Sequence, residues 1–461
     1  MTTFRSLCLA LTVPALAIAQ PSSTRPDWAA SIDSLVQREM ARTGTPGAQL
    51  AVVVDGQLAY AGVYGVADAE TRRPVTTRTL FRVGSVTKMF TAATLSQLAA
   101  EGTVDLMAPI QAYVPELTGK RVGMVSTHQL LTHSAGWLDN AVAYGRMGEG
   151  ALGEVFRVVT DTLLFTEPGR VLSYSNPAFS MAGYVAEVAG KARYAALVDR
   201  LVLKKANMPH ATFRPLEAMT RDFSQGHLAS GNGAPTVVRP YTENTAQWAA
   251  GFLMASAAEV AQFTRMLMDG GMLDGARVLD TAAVRRMTTG YQVMPADPTS
   301  KYGYGLVIGT RGRERVWQHG GAITGFDAQV VMFPDRRLSV VLVDNRGGAP
   351  MNGVIDAVAS RVAGIAPPPA PPSAPAREAT AVERQQLAGT YAMGAVSVAL
   401  AERDGALVFV QGTTALPARL VGSEKLQVTA PGGQVRVFTI VRDAAGQPVY
   451  LHQGLRSFAR K

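Results

Sequence analysis

The sequence predicts an α/β domain with a helical part, followed by a small all-β domain. Three observations favour this fold class. Strand patterns stand at both ends of residues 20–365, and helix patterns lie between them. A proline-rich stretch follows at 366–376. After it, short runs rich in β-branched residues alternate with Gly and Pro turns. A chain of 461 residues is long enough for two or three domains.

The N-terminus predicts export. Arg5 precedes an apolar run at 7–18, and Ala17-Ile18-Ala19 fits a small-x-small cleavage site. We therefore expect residues 1–19 to be a signal peptide, since the run is short for the alternative, a membrane anchor. The single cysteine, Cys8, would be removed with it, which leaves no disulfide and no Cys ligand. We expect a secreted or periplasmic protein without a stable membrane span.

Helix and strand patterns alternate through residues 20–365. Residues 27–42 carry an apolar stripe at helical spacing, and Asp55-Gly56 marks a tight turn inside a hairpin at 47–67. Residues 103–190 and 251–289 are predicted to be mainly helical. The other predicted elements are helices at 106–114, 128–133, 178–188 and 352–363, and strands at 79–83, 302–309, 315–319, 326–333 and 338–343.

The C-terminal part predicts a separate domain. Residues 366–382 are expected to be a stiff linker, because proline fixes an extended backbone. Residues 383–461 are expected to form a small antiparallel sandwich or barrel. Its predicted strands are 394–400, 407–411, 425–429, 435–441 and 449–452.

The strongest chemical motif is Ser-x-x-Lys, formed by Ser85 and Lys88 at the start of a helix that is predicted to end at Gly102. The two residues share one helix face. Burial would lower the pKa of the Lys amine, so that it could act as the base for the Ser hydroxyl. The helix N-terminus would favour a developing oxyanion. In the alternative interpretation, Ser85 only caps the helix.

Two further segments carry side chains suited to the same chemistry. Tyr174-Ser175-Asn176 precedes a predicted helix, where Tyr174 could pass a proton or be held as phenolate, and Asn176 could bind a substrate amide. The alternative is that Tyr174 packs and Asn176 caps the helix. His319-Gly320-Gly321-Ala322 ends a predicted strand, and its glycines allow backbone to approach a ligand. His133, at a helix end, is expected to be structural rather than catalytic.

In this order, Ser-x-x-Lys, Tyr-Ser-Asn and His-Gly-Gly resemble the serine β-lactamase and penicillin-binding protein superfamily, in particular its class C β-lactamase, D-alanyl-D-alanine carboxypeptidase and esterase branch. Residues 130–136, Leu-Leu-Thr-His-Ser-Ala-Gly, also resemble that branch. The resemblance covers residues 28–365. It implies a β-lactamase/transpeptidase-like sandwich, with an antiparallel sheet flanked by helices plus an all-α cluster. The domain at 383–461 is similar to a lipocalin-like appendage.

The resemblance also implies roles for individual residues. Ser85 would be the acylated nucleophile, and Lys88 and Tyr174 would share the general acid and base work. Asn176, His319 and Gly321 would contact the substrate. The Ser85 and Ala322 backbone N–H groups would hold the oxyanion.

One departure bears on the substrate. β-Lactamases and carboxypeptidases of this superfamily usually carry Lys-Thr-Gly where this chain has His319-Gly320-Gly321. Loss of that charge and hydroxyl would cost on the order of 2–4 kcal/mol of carboxylate binding. His-x-Gly resembles D-aminopeptidases and related esterases. The sequence therefore favours a peptidase or esterase, with a β-lactamase or D,D-peptidase as the second choice.

The expected partners follow from the same reasoning. The charge of +9 comes from scattered Arg residues, and no basic block indicates nucleic-acid binding. We expect a small-molecule or peptide substrate, with peptidoglycan as one alternative, and no metal or organic cofactor. A rival hypothesis from another class is a non-catalytic peptidoglycan- or peptide-binding protein.

Overall fold

The structure is a computed structural model that describes residues 25–139, 147–229, 234–368 and 374–461. The predicted signal peptide at 1–19 and the middle of the predicted linker lie outside the described residues. Within the described ranges, no helix is both long and apolar enough to cross a membrane.

A nine-stranded antiparallel sheet is the centre of the first domain. The sheet has the order β10-β11-β12-β13-β14-β15-β1-β2-β3, so the N-terminal hairpin joins the later strands through the β1–β15 pair. Its strands are β1 (Gly47–Val54), β2 (Gln57–Asp68), β3 (Arg73–Pro74), β10 (Gln292–Met294), β11 (Asp297–Tyr302), β12 (Val307–Arg311), β13 (Glu314–Ile323), β14 (Phe326–Phe333) and β15 (Leu338–Asp344).

Helices cover both faces of this sheet and form a cluster beside it. The helices are α1 (Ala29–Thr43), α2 (Thr87–Ala100), α3 (Thr127–Leu131), α4 (Ala151–Phe156), α5 (Asn176–Ala189), α6 (Tyr194–Val198), α7 (Pro215–Met219), α8 (Trp248–Gly251), α9 (Ala257–Met268), α10 (Thr281–Met287) and α11 (Asn352–Ala363). Three short strand pairs accompany them: β4 (Phe81–Arg82) with β7 (Met254–Ala255), β5 (His227–Ala229) with β6 (Pro235–Val237), and β8 (Met272–Leu273) with β9 (Ala276–Arg277).

Strand β1 shows why the sheet needs cover on both sides. Leu50 and Val52 belong to the core under α1 and α11, whereas Ala51 and Val53 belong to the core on the α9 side. Successive side chains of a strand point to opposite faces, so a run of apolar residues requires a helix layer on each face. Helix α5 packs against α2, α3, α4, α6 and α8 and is the centre of the all-α cluster.

The C-terminal domain is a closed eight-stranded antiparallel barrel, in which the β20–β21 pairing completes the ring. Its strands are β17 (Gly389–Met393), β18 (Val396–Arg403), β19 (Ala406–Gln411), β20 (Thr414–Val421), β21 (Lys425–Thr429), β22 (Val435–Arg442), β23 (Pro448–Gln453) and β24 (Arg456–Arg460). Strand β16 (Ala376–Arg377) pairs with β20, and α12 (Ala381–Leu387) places Leu387 in the barrel core. Both elements lie partly or wholly within 366–382, the range predicted as linker.

The predicted fold class is confirmed, and several local predictions are confirmed with it. Asp55 and Gly56 form the tight turn between β1 and β2, with φ angles of 51° and 78°. The helix predicted at 352–363 has the same bounds as α11.

Three local predictions are wrong. Among the described residues of 103–190, predicted to be mainly helical, only α3, α4 and α5 are α-helices. Residues 106–114 form only a 3-10 turn at Ile110–Ala112, because Pro109 lies inside the segment and Pro115 directly follows it, and both interrupt helical bonding. The strand predicted at 302–309 is divided between β11 and β12. The chain turns between them, where Gly305 has a φ of 67°.

Candidate active site

Ser85 lies in a tight turn rather than in the first turn of an α-helix. Residues Gly84–Val86 form a 3-10 turn, and α2 begins two residues after Ser85, at Thr87. Gly84 has a φ of 52°, and the Thr87 hydroxyl donates to the Gly84 carbonyl at 2.7 Å. The predicted helix therefore exists but begins later than expected, and the turn before it presents the Ser85 hydroxyl to a cleft.

Lys88 is completely buried beneath Ser85. Its Nζ atom lies 3.1 Å from Ser85 Oγ, 2.7 Å from Asn176 Oδ1 and 2.6 Å from the Ala250 carbonyl oxygen. The last two atoms can only accept hydrogen bonds. A neutral amine has two N–H groups and one lone pair. If both N–H groups bind these acceptors, the lone pair is left for the Ser85 hydroxyl proton.

The surroundings of Lys88 favour that neutral form. Burial lowers the pKa of the Lys88 amine well below its usual value, mainly because a charge inside the protein loses its hydration. Asp139 acts in the opposite direction and raises this pKa, whereas Arg456 lowers it further. The Lys88 amine therefore gives up its proton more readily than a solvated lysine does, as a general base requires.

Tyr174 lies over Lys88 and is nearly buried. Its ring centroid is 4.6 Å from Lys88 Nζ and 4.0 Å from the centroid of the His133 ring. Burial raises the pKa of the Tyr174 phenol, and a hydrogen bond with Ser85 only partly offsets this. Tyr174 is therefore a neutral phenol at neutral pH. Of the two states considered from the sequence, the structure favours the proton carrier over the phenolate.

The helix cap of α5 is Ser175, which leaves the Asn176 side chain available. Ser175 Oγ accepts a hydrogen bond from the Ala178 N–H at 3.2 Å. Asn176 is the first residue of α5, and its side-chain oxygen accepts from Lys88. His133 Nδ1 accepts from the Ser175 N–H at 3.1 Å, so His133 supports the loop that carries Tyr174, as expected for a structural residue.

Gly321 brings β13 against the Ser85 turn. A Cβ atom at Gly321 would lie 2.0 Å from the Val83 carbonyl oxygen and 3.0 Å from the Ser85 nitrogen. A Cβ atom at Gly84 would lie 2.7 Å from the Ala322 nitrogen. The two backbones therefore approach each other only because both residues are glycine. This approach brings the backbone of the Ser85 turn next to that of Gly321 and Ala322, and both Ser85 and Ala322 line the cleft.

His319 faces the same cleft, but both of its ring nitrogens are occupied. Nδ1 lies 2.6 Å from the Gly320 carbonyl oxygen, which can only accept, so Nδ1 carries the proton. Nε2 then accepts from the Tyr302 hydroxyl at 2.9 Å. Burial, helped by the charge of Lys88, lowers the pKa of His319 to about 3. In this arrangement His319 is neutral and offers no free donor to a substrate carboxylate.

The barrel contributes residues that the sequence motifs did not indicate. The Leu455 carbonyl accepts from the Tyr174 N–H at 2.8 Å. Arg456 Nε donates to Asp139 Oδ2 at 2.8 Å, and Asp139 Oδ1 accepts from the Asn176 N–H at 2.8 Å. No short motif could have revealed these contacts, because the barrel residues lie almost 300 positions beyond the Tyr-Ser-Asn segment and meet it only in the folded chain.

A cavity of about 600 Å³ opens in front of Ser85. Its wall includes every site residue predicted from the sequence except Lys88, which lies beneath: Ser85, Tyr174, Asn176, His319, Gly321 and Ala322. Leu455 and Arg456 of the barrel complete the wall. A smaller cavity of about 170 Å³ continues past Ser85 toward Gln247 and Phe252. Among the described residues, no group of three or more His, Cys, Asp and Glu side chains could hold a metal ion.

Comparison with known proteins assigns the first domain. A sequence model of the Beta-lactamase family matches residues 32–364. The chain belongs to this family. This membership agrees with the resemblance to the β-lactamase and penicillin-binding protein superfamily.

Individual relatives show how far the similarity extends. A D-aminopeptidase of Gluconobacter oxydans (strain 621H) is 29% identical over 330 residues, which cover 70% of this chain and 60% of the relative. A β-lactamase of Pseudomonas fluorescens is 29% identical over 209 residues, which cover 45% of this chain and 57% of the relative. The chain thus spans less than two thirds of the length of either relative.

A solved structure extends the similarity to the barrel. The crystal structure of SurE is 25% identical and superposes with a TM-score of 0.77. The superposition covers 94% of this chain and 99% of SurE. Because the family model ends at residue 364, this match shows that the two-domain arrangement occurs in another protein.

Proposed function

We propose that this protein is an exported serine hydrolase that forms an acyl-enzyme on Ser85 and cleaves ester or amide bonds of D-amino-acid-type peptides. The observation that carries the proposal is the position of Lys88 Nζ, 3.1 Å from Ser85 Oγ, with its two other neighbours both acceptors. A base in this position, with its pKa lowered by burial, is what a serine nucleophile requires.

The geometry supports the following sequence of steps. Lys88 takes the hydroxyl proton as Ser85 Oγ bonds to the substrate carbonyl carbon, and the carbonyl oxygen becomes an oxyanion between the Ser85 and Ala322 N–H groups. Tyr174 then donates its proton to the leaving amine or alkoxide and regains one from Lys88, while the scissile bond breaks. Water repeats the attack in the second half of the reaction and releases the acid.

The choice of substrate rests on β13 and on the D-aminopeptidase relative. Both nitrogens of His319 are engaged within the protein, so the charged contact that Lys-Thr-Gly would give a carboxylate is missing. The D-aminopeptidase matches 70% of this chain. A class C-like β-lactamase or a cell-wall D,D-peptidase is the second candidate, because the family and the β-lactamase relative share the first domain.

Turnover on three chromogenic substrates tests the proposal: a cephalosporin, a short-chain p-nitrophenyl ester and a D-alanine p-nitroanilide. Each is measured with the parent protein and with Ser85→Ala. The matched control is Ser96→Ala, since Ser96 is a buried serine of α2 whose hydroxyl has no partner among the described residues. Ser96→Ala should keep activity and Ser85→Ala should abolish it.

Three outcomes would change the assignment. Turnover that survives in Ser85→Ala would refute the acyl-enzyme. Cephalosporin hydrolysis faster than ester or D-amide hydrolysis would favour the β-lactamase candidate. Ligand binding without any turnover, equal in both variants, would favour the non-catalytic binding protein.

A further inference from the structure

The segment that carries Tyr174 and Asn176 is bonded to the barrel along its length. The Ser457 N–H donates to Ser173 Oγ at 3.2 Å, and Ser457 Oγ donates to the Leu172 carbonyl at 3.0 Å. The Tyr174 N–H donates to the Leu455 carbonyl. Three successive residues of the catalytic segment thus bond to the end of the β23–β24 hairpin, through Leu455 of its turn and Ser457 of β24. The first domain alone would leave these polar groups unpaired or open to water.

Arg456, the first residue of β24, reaches past this segment to Asp139. The Asp139 side chain is only 1% exposed, so its charge depends on a close partner. Arg456 supplies that partner with Nε at 2.8 Å, and Nη2 donates to the same oxygen. The other carboxylate oxygen accepts the Asn176 N–H. Arg456 also lies over the Tyr174 ring, with its guanidinium carbon 5.7 Å from the ring centroid.

The ion pair is also the main source of charge near the base. Asp139 and Arg456 affect the pKa of Lys88 in opposite directions. The other titratable groups around Lys88 are held neutral by burial, which raises the pKa of each tyrosine and lowers that of each histidine; they are Tyr174, Tyr302, His133 and His319. Ser85, Asn176 and the Ala250 carbonyl complete its surroundings without charge.

We propose that Arg456 is a positioning residue of the active site. Paired with Asp139, it connects the barrel to the catalytic segment, holds Tyr174 and Asn176 in register with Ser85, and balances the charge that Lys88 experiences. The barrel is therefore part of the catalytic apparatus and not an independent appendage. This inference rests on the proposed function, since it assumes that Lys88 is the base.

The experiment measures kcat and KM for the p-nitrophenyl ester across pH in the full chain, for Arg456→Ala, Arg456→Lys and Asp139→Asn. The matched control is Arg460→Ala. Arg460 lies on the same strand as Arg456, and its guanidinium carbon is 6.0 Å from the ring centroid of another tyrosine, Tyr391. Its hydrogen bonds, however, stay within the C-terminal domain. Thermal unfolding of each variant shows whether the fold is kept.

Opposite shifts in the pH profile are the expected result. Arg456→Ala leaves Asp139 unpaired, which favours protonated Lys88, so the acid limb of kcat should move up by about one pH unit. Asp139→Asn should move it down. Because Tyr174 loses its support, Arg456→Ala should also lower kcat about 10-fold or more at the pH optimum. Arg456→Lys should restore the parent limb, and Arg460→Ala should match the parent throughout.

Two results would overturn the inference while the proposed function stands. One is an Arg456→Ala profile equal to that of Arg460→Ala when Ser85→Ala is inactive. The other is a rise in KM with kcat and the acid limb unchanged, which would make Arg456 a substrate contact. Turnover that survives in Ser85→Ala would instead remove the proposed function and the inference together.

Discussion

Substitution of Gly321 by alanine should remove most of the catalytic activity. The new Cβ atom would lie 2.0 Å from the Val83 carbonyl oxygen. No rotation of a neighbouring side chain can relieve this overlap, because the atoms that the Cβ would meet belong to the backbone. Strand β13 must then move away from the Ser85 turn, which separates the Ser85 and Ala322 N–H groups. Loss of one oxyanion donor typically lowers kcat by about 10²–10³, which corresponds to ~3–4 kcal/mol of transition-state stabilisation.

The matched control for this prediction is the neighbouring glycine. A Cβ atom at Gly320 would meet only the Ala328 carbonyl oxygen, at 3.9 Å, so Gly320→Ala should keep kcat within about threefold of the parent value. The assay is ester turnover with both variants, together with their melting temperatures. Overpacking should cost Gly321→Ala roughly 1–3 kcal/mol of stability. A folded Gly321→Ala protein with parental kcat would refute this reasoning.

Two further predictions concern β13 and pH. His319 and His452 have pKa values lowered to about 3 and about 4 by burial, so between about pH 6.5 and pH 3 the unfolded chain binds protons that the folded chain does not. The melting temperature should therefore fall as the pH is lowered across this window. In His319→Gln the slope should be shallower, and an unchanged slope would contradict the prediction. The double variant His319→Lys with Gly320→Thr should raise cephalosporin turnover relative to ester turnover by roughly 30-fold, because a charged contact with the substrate carboxylate contributes about 2 kcal/mol. An unchanged ratio of kcat/KM for the two substrates would show that β13 does not select against carboxylates.

The motif residues could be found from sequence because their chemistry is local. Ser85 and Lys88 are three residues apart, so one turn of chain brings them together in almost any helical context. Gly321 is informative for a similar reason, since a glycine at a strand end indicates that another backbone comes close. The helix predicted at 106–114 is wrong because Pro109 lies inside the segment and Pro115 directly after it, so the apolar spacing cannot be used by a continuous helix. Barrel strands such as β20 and β24 were missed because their pattern alone is weak and pairing with distant strands decides them.

The sequence by itself determined the fold class and the closeness of Ser85 to Lys88, since each depends on periodicity or spacing along a short stretch. Only the tertiary structure decided how burial affects the Lys88 amine and which groups bind the His319 ring. The pKa of the Lys88 amine is lowered because the folded protein excludes water from it, and Nε2 of His319 is occupied because β11 places Tyr302 beside it. The contact between Arg456 and Asp139 joins residues 317 positions apart. Such contacts arise from folding, and a local pattern holds no information about which distant charge will meet which.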